Sequence, residues 1–321
     1  MAVACASTRP RSRRTFTNPT DSQLIADGIR QVTRIGLKIH ALVGNGVERL
    51  TDRTRSVKRR ILLIAKHLRR RTGQTVETVR AVTAGIAQIA ATQVRAARRV
   101  RQQVDEAVST ASEQVARPAR RLALQLDRVI ELLERVVAQH QAVRRGEHHI
   151  PDRMVSLADP DARPIVKGKL GKPVQFGYKA QIIEAEGGFV TDYTVERGNP
   201  PDGDALLPAV RRHKKRFRRA PQILATHRGC DSGANLRGCR ELGVRNAAIP
   251  KRGKISEERR RLQQTRSFRR AQAWRSGSEA TISRLKRGYG LDRSRYRSYD
   301  WVATGVGLAI LAHNLRRAAR L

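Results

Sequence analysis

"APQILATHRGC", residues 220–230, reads as a short buried strand that ends on chemistry. Ile223, Leu224 and Ala225 are apolar, the chain then turns polar at Thr226, His227 and Arg228, and Gly229 supplies a turn. A buried strand that closes on a polar residue beside a glycine presents that residue for use, and here it is a histidine. On either side lie the partners such a strand needs. "QFGYKAQIIEA" (175–185) alternates Phe176, Tyr178, Ala180 and Ile182 along one side, and "FVTDYTVERG" (189–198) follows it across Gly187-Gly188, which predicts a hairpin. "NPPDGDALLPAVRRHKKRFRR" (199–219) starts in a turn and becomes a helix with a basic end. "SGANLRGCRELG" (232–243) predicts a helix ending at Gly243, and "VRNAAIP" (244–250) a fourth strand. Residues 255–290 form a long basic helical stretch interrupted near Gly277, and a last helix runs from about Asp300 to Leu321. A hairpin followed by strand, helix, strand and helix is an α/β arrangement around a mixed sheet with flanking helices.

The first half of the chain is of another kind. Residues 1–19 read as a disordered basic arm and 20–147 as a helical region, leaving 148–321 for the α/β part. Thr20 or Asp21 is placed to cap the first helix. Val76, Val79, Val82, Ile86, Ile89, Val94, Ala97, Val100 and Val104 recur every three or four residues, the mark of an amphipathic helix. Three or four long helices in a hairpin or bundle are expected, with Arg-rich polar faces and Pro118 in a first helical turn. Adjacent His148 and His149 cannot easily face one metal ion together.

The 321 residues carry a formal net charge of +38, with a pI near 11.7. That charge resists compaction unless a polyanion offsets it. Nucleic acid is the natural partner, since binding Lys and Arg releases its counterions, and arginine grips phosphates in bidentate fashion. Codon usage is the competing source of the arginine excess. Aromatics are only 4% of the chain and do not interleave with the basic runs, which leaves an RNA-stacking protein without its signature. Three scattered cysteines argue against a disulfide framework or a structural zinc site. With no transmembrane-length apolar run and no signal-peptide core, a cytoplasmic, nucleoid-associated protein is expected, without a membrane partner.

Phosphoryl transfer on DNA commonly employs two Mg2+ ions held by carboxylates. Candidate acids on this framework are Asp192, Asp202, Asp204, Asp231 and Glu279. Glu279 stands out inside "WRSGSEATISRLKRGYGL", although on a helix it could simply pair with Arg275 or Arg284.

Taken together, "GKLGKPVQFGYKAQI", "GFVTDYTVERGNPPD", "ATHRG", "IPKRGK", "RSGSEATISRLKRGYGLDRSR" and "LAHNLR", with "TNPTDSQLIADGIRQVTR" upstream, resemble the DDE transposases of bacterial insertion sequences, of the broad IS4/IS5-like group. The resemblance runs in order from about residue 17 to 317. It implies a ribonuclease-H-like mixed sheet with flanking helices, interrupted by a long helical insertion. It further implies two Mg2+ (or Mn2+) ions held by Asp, Asp and Glu, double-stranded DNA as the partner, both as inverted-repeat ends and as target, and a possible homodimer.

Residue by residue, Glu279 matches the family glutamate and metal ligand, and Arg275 and Lys286 match basic positions placed to touch phosphate. Arg228, Arg287, Lys214 and Lys215 join them as expected DNA contacts. The second family aspartate, in the pattern Asp-Arg-Gly, falls on His227, so the strand tip looks built for a metal-binding acid that this chain replaces. Asp231 is a weaker substitute, four residues on. The first aspartate should precede Thr17 and Asn18, but "ASTRPRSRRTF" holds no acid, and the start reads as truncated, frameshifted or misassigned. A missing first strand would expose a sheet edge. Two functions follow: a DNA transposase degenerate in this copy, or a transposase-derived protein that binds DNA without cutting it.

Overall fold

The computed structural model describes residues 2–10, 20–70, 75–147, 149–166 and 174–320. Residues 11–19 of the expected arm, and His148, lie outside them. The chain divides into two compact units, Phe16–Pro160 and Met1–Thr15 with Asp161–Leu321.

The Phe16–Pro160 unit is helical: α1 (Asp21–Val43), α2 (Thr54–Arg70), α3 (Thr75–Ser109) and α4 (Glu113–Arg144). Thr20, rather than Asp21, caps α1 by accepting from the Gln23 N–H. Asp21 is instead buried and holds the unit together. Its Oδ1 accepts from Gln139 Nε2 at 2.7 Å and from Arg153 Nη2 at 3.0 Å. Gln139 in turn pairs with the Met154 backbone. Met154 and Leu157 belong to the bundle core, so this unit reaches past the expected boundary at 147. The α3 stripe is buried at Ile86, Val94, Ala97, Val100 and Val104, but Val76 is exposed, and Thr83 and Ala90 pack inward. Pro118 lies inside α4, beyond its first turn, because the helix starts at Glu113.

α1 approaches its neighbours through two glycines. A Cβ at Gly28 would meet Leu133, and one at Gly36 would meet Leu50. Both leucines are buried and cannot step aside into solvent. Gly36→Val is therefore expected to cost about 1–3 kcal/mol by overpacking, read as a lower midpoint in thermal unfolding followed by helical circular dichroism. An unchanged midpoint would contradict this packing.

The second unit is built on a mixed sheet. Its strands are β1 (Ala2–Pro10), β2 (Arg163–Val166), β3 (Val174–Glu184), β4 (Val190–Arg197), β5 (Ile223–Ala225), β6 (Asn246–Ala248) and β7 (Arg293–Ser294). β1 pairs antiparallel with β3 from Ala2↔Glu184 to Thr8↔Tyr178, and parallel with β5 at Ala2↔Ala225. β3 also pairs antiparallel with β2 and β4, while β5 pairs parallel with β6. Residues 2–10 are thus a central strand, which corrects both the expected disordered arm and the expected open edge. The physical reason is context. β3 offers a row of backbone groups that a segment of small residues, uncharged up to Arg9, satisfies from Ala2 to Thr8, and β5 is met at Ala2.

The helices of this unit are α5 (Leu206–Phe217), α6 (Gly233–Glu241), α7 (Glu257–Gln264), α8 (Arg266–Gly288) and α9 (Tyr299–Ala318). Tyr178, Ala180 and Ile182 pack against α8 and α9 through Ile282, Leu285, Val302 and Val306. On the opposite face Ile183 and Leu224 pack against α5 and α6 through Leu206, Val210 and Cys239. The expected interruption near Gly277 is not there; α8 runs through it. The break falls at Thr265, whose hydroxyl caps α8 by accepting from the Phe268 N–H. The β3–β4 turn falls at Gly187 and Gly188, both with positive φ, as a hairpin at that place requires.

Candidate active site

β5 ends at Ala225, with Thr226 fully buried beyond it. His227 then turns back across the strand tip. Its Nδ1 accepts from the Gly229 N–H at 2.9 Å, so the ring proton sits on Nε2, and that atom faces Asp202 Oδ2 at 3.2 Å. Both ring nitrogens are therefore occupied by the protein. Asp202 comes from the loop after β4. Its Oδ1 meets Lys179 Nζ at 2.5 Å, and Gln181 Nε2 lies 3.4 Å from the same oxygen. Lys179 and Gln181 alternate along β3 on the face that points toward this loop, and Lys179 also donates to the Pro200 carbonyl. Burial alone would raise the Asp202 carboxyl, but the His227 and Lys179 contacts outweigh it and hold the group far below the usual carboxylate range.

Cys230 lies next to this cluster, donating to the Asp202 carbonyl. Burial pushes its thiol up to about 11, which keeps it protonated and inert. Asp231 is removed from the site. Its side chain is buried, accepts from the Arg252 N–H at 2.9 Å, and is neutralised by Lys251 at 3.1 Å and Arg259 at 3.8 Å. It anchors the loop after β6.

Glu279 lies on α8, the helix that Gln272 ties to the ends of β5 and β6 by donating to the Thr226 and Ala248 carbonyls. Its Oε1 pairs with Arg275 Nη2 at 2.6 Å, one turn away. Arg275 is the more buried partner, and its charge also acts on the Cys230 thiol. The expected DNA contacts are mostly exposed: Arg228 in the turn after His227, Lys215 at the end of α5, and Arg287 near the end of α8. Lys286 is half-buried. Lys214 is exposed and donates to the Leu242 carbonyl, and Arg287 donates to the Ser283 hydroxyl.

The structure thus brings His227 together with Asp202, Lys179 and Gln181. Asp231 is engaged elsewhere, and Glu279 is held by an arginine. Lys179 and Gln181 were missed. The one signal for them was a lysine and a glutamine two apart inside the otherwise apolar run of residues 176–183.

A family model, Transposase DDE domain, matches residues 144–315. The match spans more than half of the chain, and the chain belongs to that family. No curated protein matches, and no solved structure matches. The family's chemistry generally relies on divalent metal ions, and the residues here do not fit a pair of them. β1 holds no acid anywhere in Ala2–Pro10. The β5 tip offers an imidazole with both nitrogens engaged. Among the described residues no three His, Cys, Asp or Glu side chains cluster as a metal site.

Proposed function

We propose that this chain is a transposase of the insertion-sequence type that binds double-stranded DNA, and that the acids it supplies leave the strand-cutting centre incomplete. Family membership supports the transposase reading. The mixed sheet with β1 at its centre and helices on both faces supports a ribonuclease-H-like fold. The observation that carries the rest is the state of His227. The position matching the family aspartate holds a side chain that bears no charge in this tautomer and spends both nitrogens on Gly229 and Asp202. It brings neither a free lone pair nor negative charge to a hard cation. Exposed Arg228, Lys215 and Arg287, with Lys214 and Lys286, fit contacts to phosphate rather than to base edges. The DNA partners are the ends and target of an insertion element, and holding two ends together calls for two copies of the chain.

Binding to duplex DNA is expected to weaken steeply with salt, with a log–log slope of about −5 or steeper, as five or six neutralised phosphates give. Glu279→Ala is expected to leave that affinity intact, because the carboxylate faces Arg275 and not phosphate. Titrations across a range of KCl concentrations measure both. A flat salt dependence would remove the DNA-binding reading. Cleavage of element ends by the unaltered chain in Mg2+ or Mn2+, lost in Glu279→Ala, would remove the reading of an incomplete centre.

A further inference from the structure

In the helical unit, positive charge is distributed unevenly. On α3 three of the five arginines have acidic partners: Arg98 pairs with Glu134, Arg99 with Glu48, and Arg101 with Asp105 and Asp127. α2 is different. Its sequence, TRSVKRRILLIAKHLRR, contains no acid. Arg55, Lys58, Arg59, Lys66 and Arg69 are all exposed, and among the described residues none of them makes an ion pair. At helical spacing these five fall on one side, together with Leu62. The opposite side carries Val57 and Ile64, both buried in the bundle core. Between α2 and α3 lies a groove of about 340 Å³ that adds Arg53 and Arg60 beside Ser56, Gln88 and Thr92.

We propose that the outward face of α2 is a second duplex-DNA surface, carried by the helical unit and separate from the basic residues around the β5 tip; the proposal rests on the DNA-binding reading above. Charge complementarity selects the occupant. From Arg55 to Arg69 the stripe extends about 21 Å at 1.5 Å per residue, and over that length a duplex presents a dense row of phosphates. No acid within the helix offsets the cations, and Asp52 just before it acts on Arg55 alone, so the rest of the stripe stands open to a polyanion. A membrane surface is the weaker match. An interfacial helix buries an apolar face in lipid, whereas the apolar face of α2 is already spent on the bundle. What remains outside is Leu62 within the cationic stripe, Leu63 at its flank, and Leu68 beyond Ile64 on the opposite side.

The test employs the full chain and a random-sequence duplex. In the unaltered protein, Lys58 and Lys66 are expected to lose reactivity toward an amine-acylating reagent when duplex is added, read by peptide mass spectrometry. In a variant with Arg55→Gln, Lys58→Gln, Arg59→Gln, Lys66→Gln and Arg69→Gln, the salt slope is expected to become shallower by about 0.9 for each phosphate that is no longer neutralised, hence by about 3 to 4 if most of the five engage. Protection in the unaltered protein needs no variant, so misfolding of the variant cannot decide the matter. If duplex binds while both lysines stay reactive, this surface is wrong and the DNA-binding reading stands. Protection by phosphatidylserine vesicles but not by duplex would also overturn it, in favour of a membrane. If the unaltered chain binds no duplex, the functional reading fails together with this one.

Discussion

A variant carrying both Ala4→Asp and His227→Asp is expected to bind divalent metal and to cut DNA, and the unaltered chain is expected to do neither. The two positions follow from the register. Ala4 is the partner of Ile182 across the β1–β3 ladder, and Ile182 packs on the side of the sheet that α8 covers. β1 also runs parallel to β5 beside Ala225, two residues before His227. Acids at positions 4 and 227 therefore stand on neighbouring strands at the end of the sheet where Gln272 fastens α8, the helix of Glu279. Without a cation, carboxylates gathered in this way repel one another, so the double variant is expected to be less stable than the parent in chelator. Adding Mg2+ or Mn2+ should then raise its unfolding midpoint by several degrees, since a ligand at 100 times its dissociation constant contributes about 2.7 kcal/mol. The parent's midpoint should not respond. Groups that act as one unit do not contribute additively, so each single variant should cut no better than background and the double variant at least about 10³-fold faster. The measurements are thermal unfolding with and without metal, and cleavage of element-end DNA. Metal-dependent stabilisation of the parent, or cleavage by His227→Asp alone, would show that β1 needs no acid.

Much of this architecture was legible in the residues, and what was not shares one cause. The hairpin at Gly187-Gly188, the helix ending at Gly243 and the short strand before His227 are set by local turn chemistry and apolar runs, which a sequence displays. β1 was invisible because AVACASTRP has no strong pattern of its own; its state is imposed by β3 and β5, which lie far along the chain. The break in the 255–290 stretch was assigned to Gly277, a poor helix former, but a capping hydroxyl at Thr265 outweighs one flexible residue inside a packed helix. The site shows the same division. That position 227 stands at a strand tip could be read directly. That its imidazole is fixed by Asp202, and Asp202 by Lys179, could not, because these pairs join residues 23 and more positions apart. Asp231 looked like a substitute by proximity in sequence, yet its buried ion pairs with Lys251 and Arg259 turn it away from the tip.

Asp202→Ala is expected to be the most damaging single substitution in the α/β unit, at about 3–5 kcal/mol, the cost of leaving one partner of a buried pair without the other. Lys179 is the reason. Its side chain is only 6% exposed, and its ammonium has Asp202 and the Pro200 carbonyl as its partners. Removing the carboxylate strands that charge inside the sheet and also releases His227 Nε2. Lys179→Met should then recover much of the loss in the Asp202→Ala background, because it removes the orphaned charge rather than replacing the pair. The pH dependence has a definite sign. The Asp202 carboxyl lies below its ordinary value of 3.8 in the folded chain, so the unfolded state takes up the proton first. The contribution of Asp202 is complete above that ordinary value and is lost as pH falls through the folded one. Between pH 7 and 5 the parent should therefore keep this contribution, and it should weaken only in strong acid. The gap between parent and Asp202→Ala should close over the same acid range. Denaturant unfolding of the parent, the single variant and the double variant across pH measures all three expectations. A loss below about 1 kcal/mol in Asp202→Ala, within what exposed pairs give, would mean that the Lys179–Asp202 pair contributes little. A double variant as unstable as the single one would mean that the stranded charge is not what destabilises it.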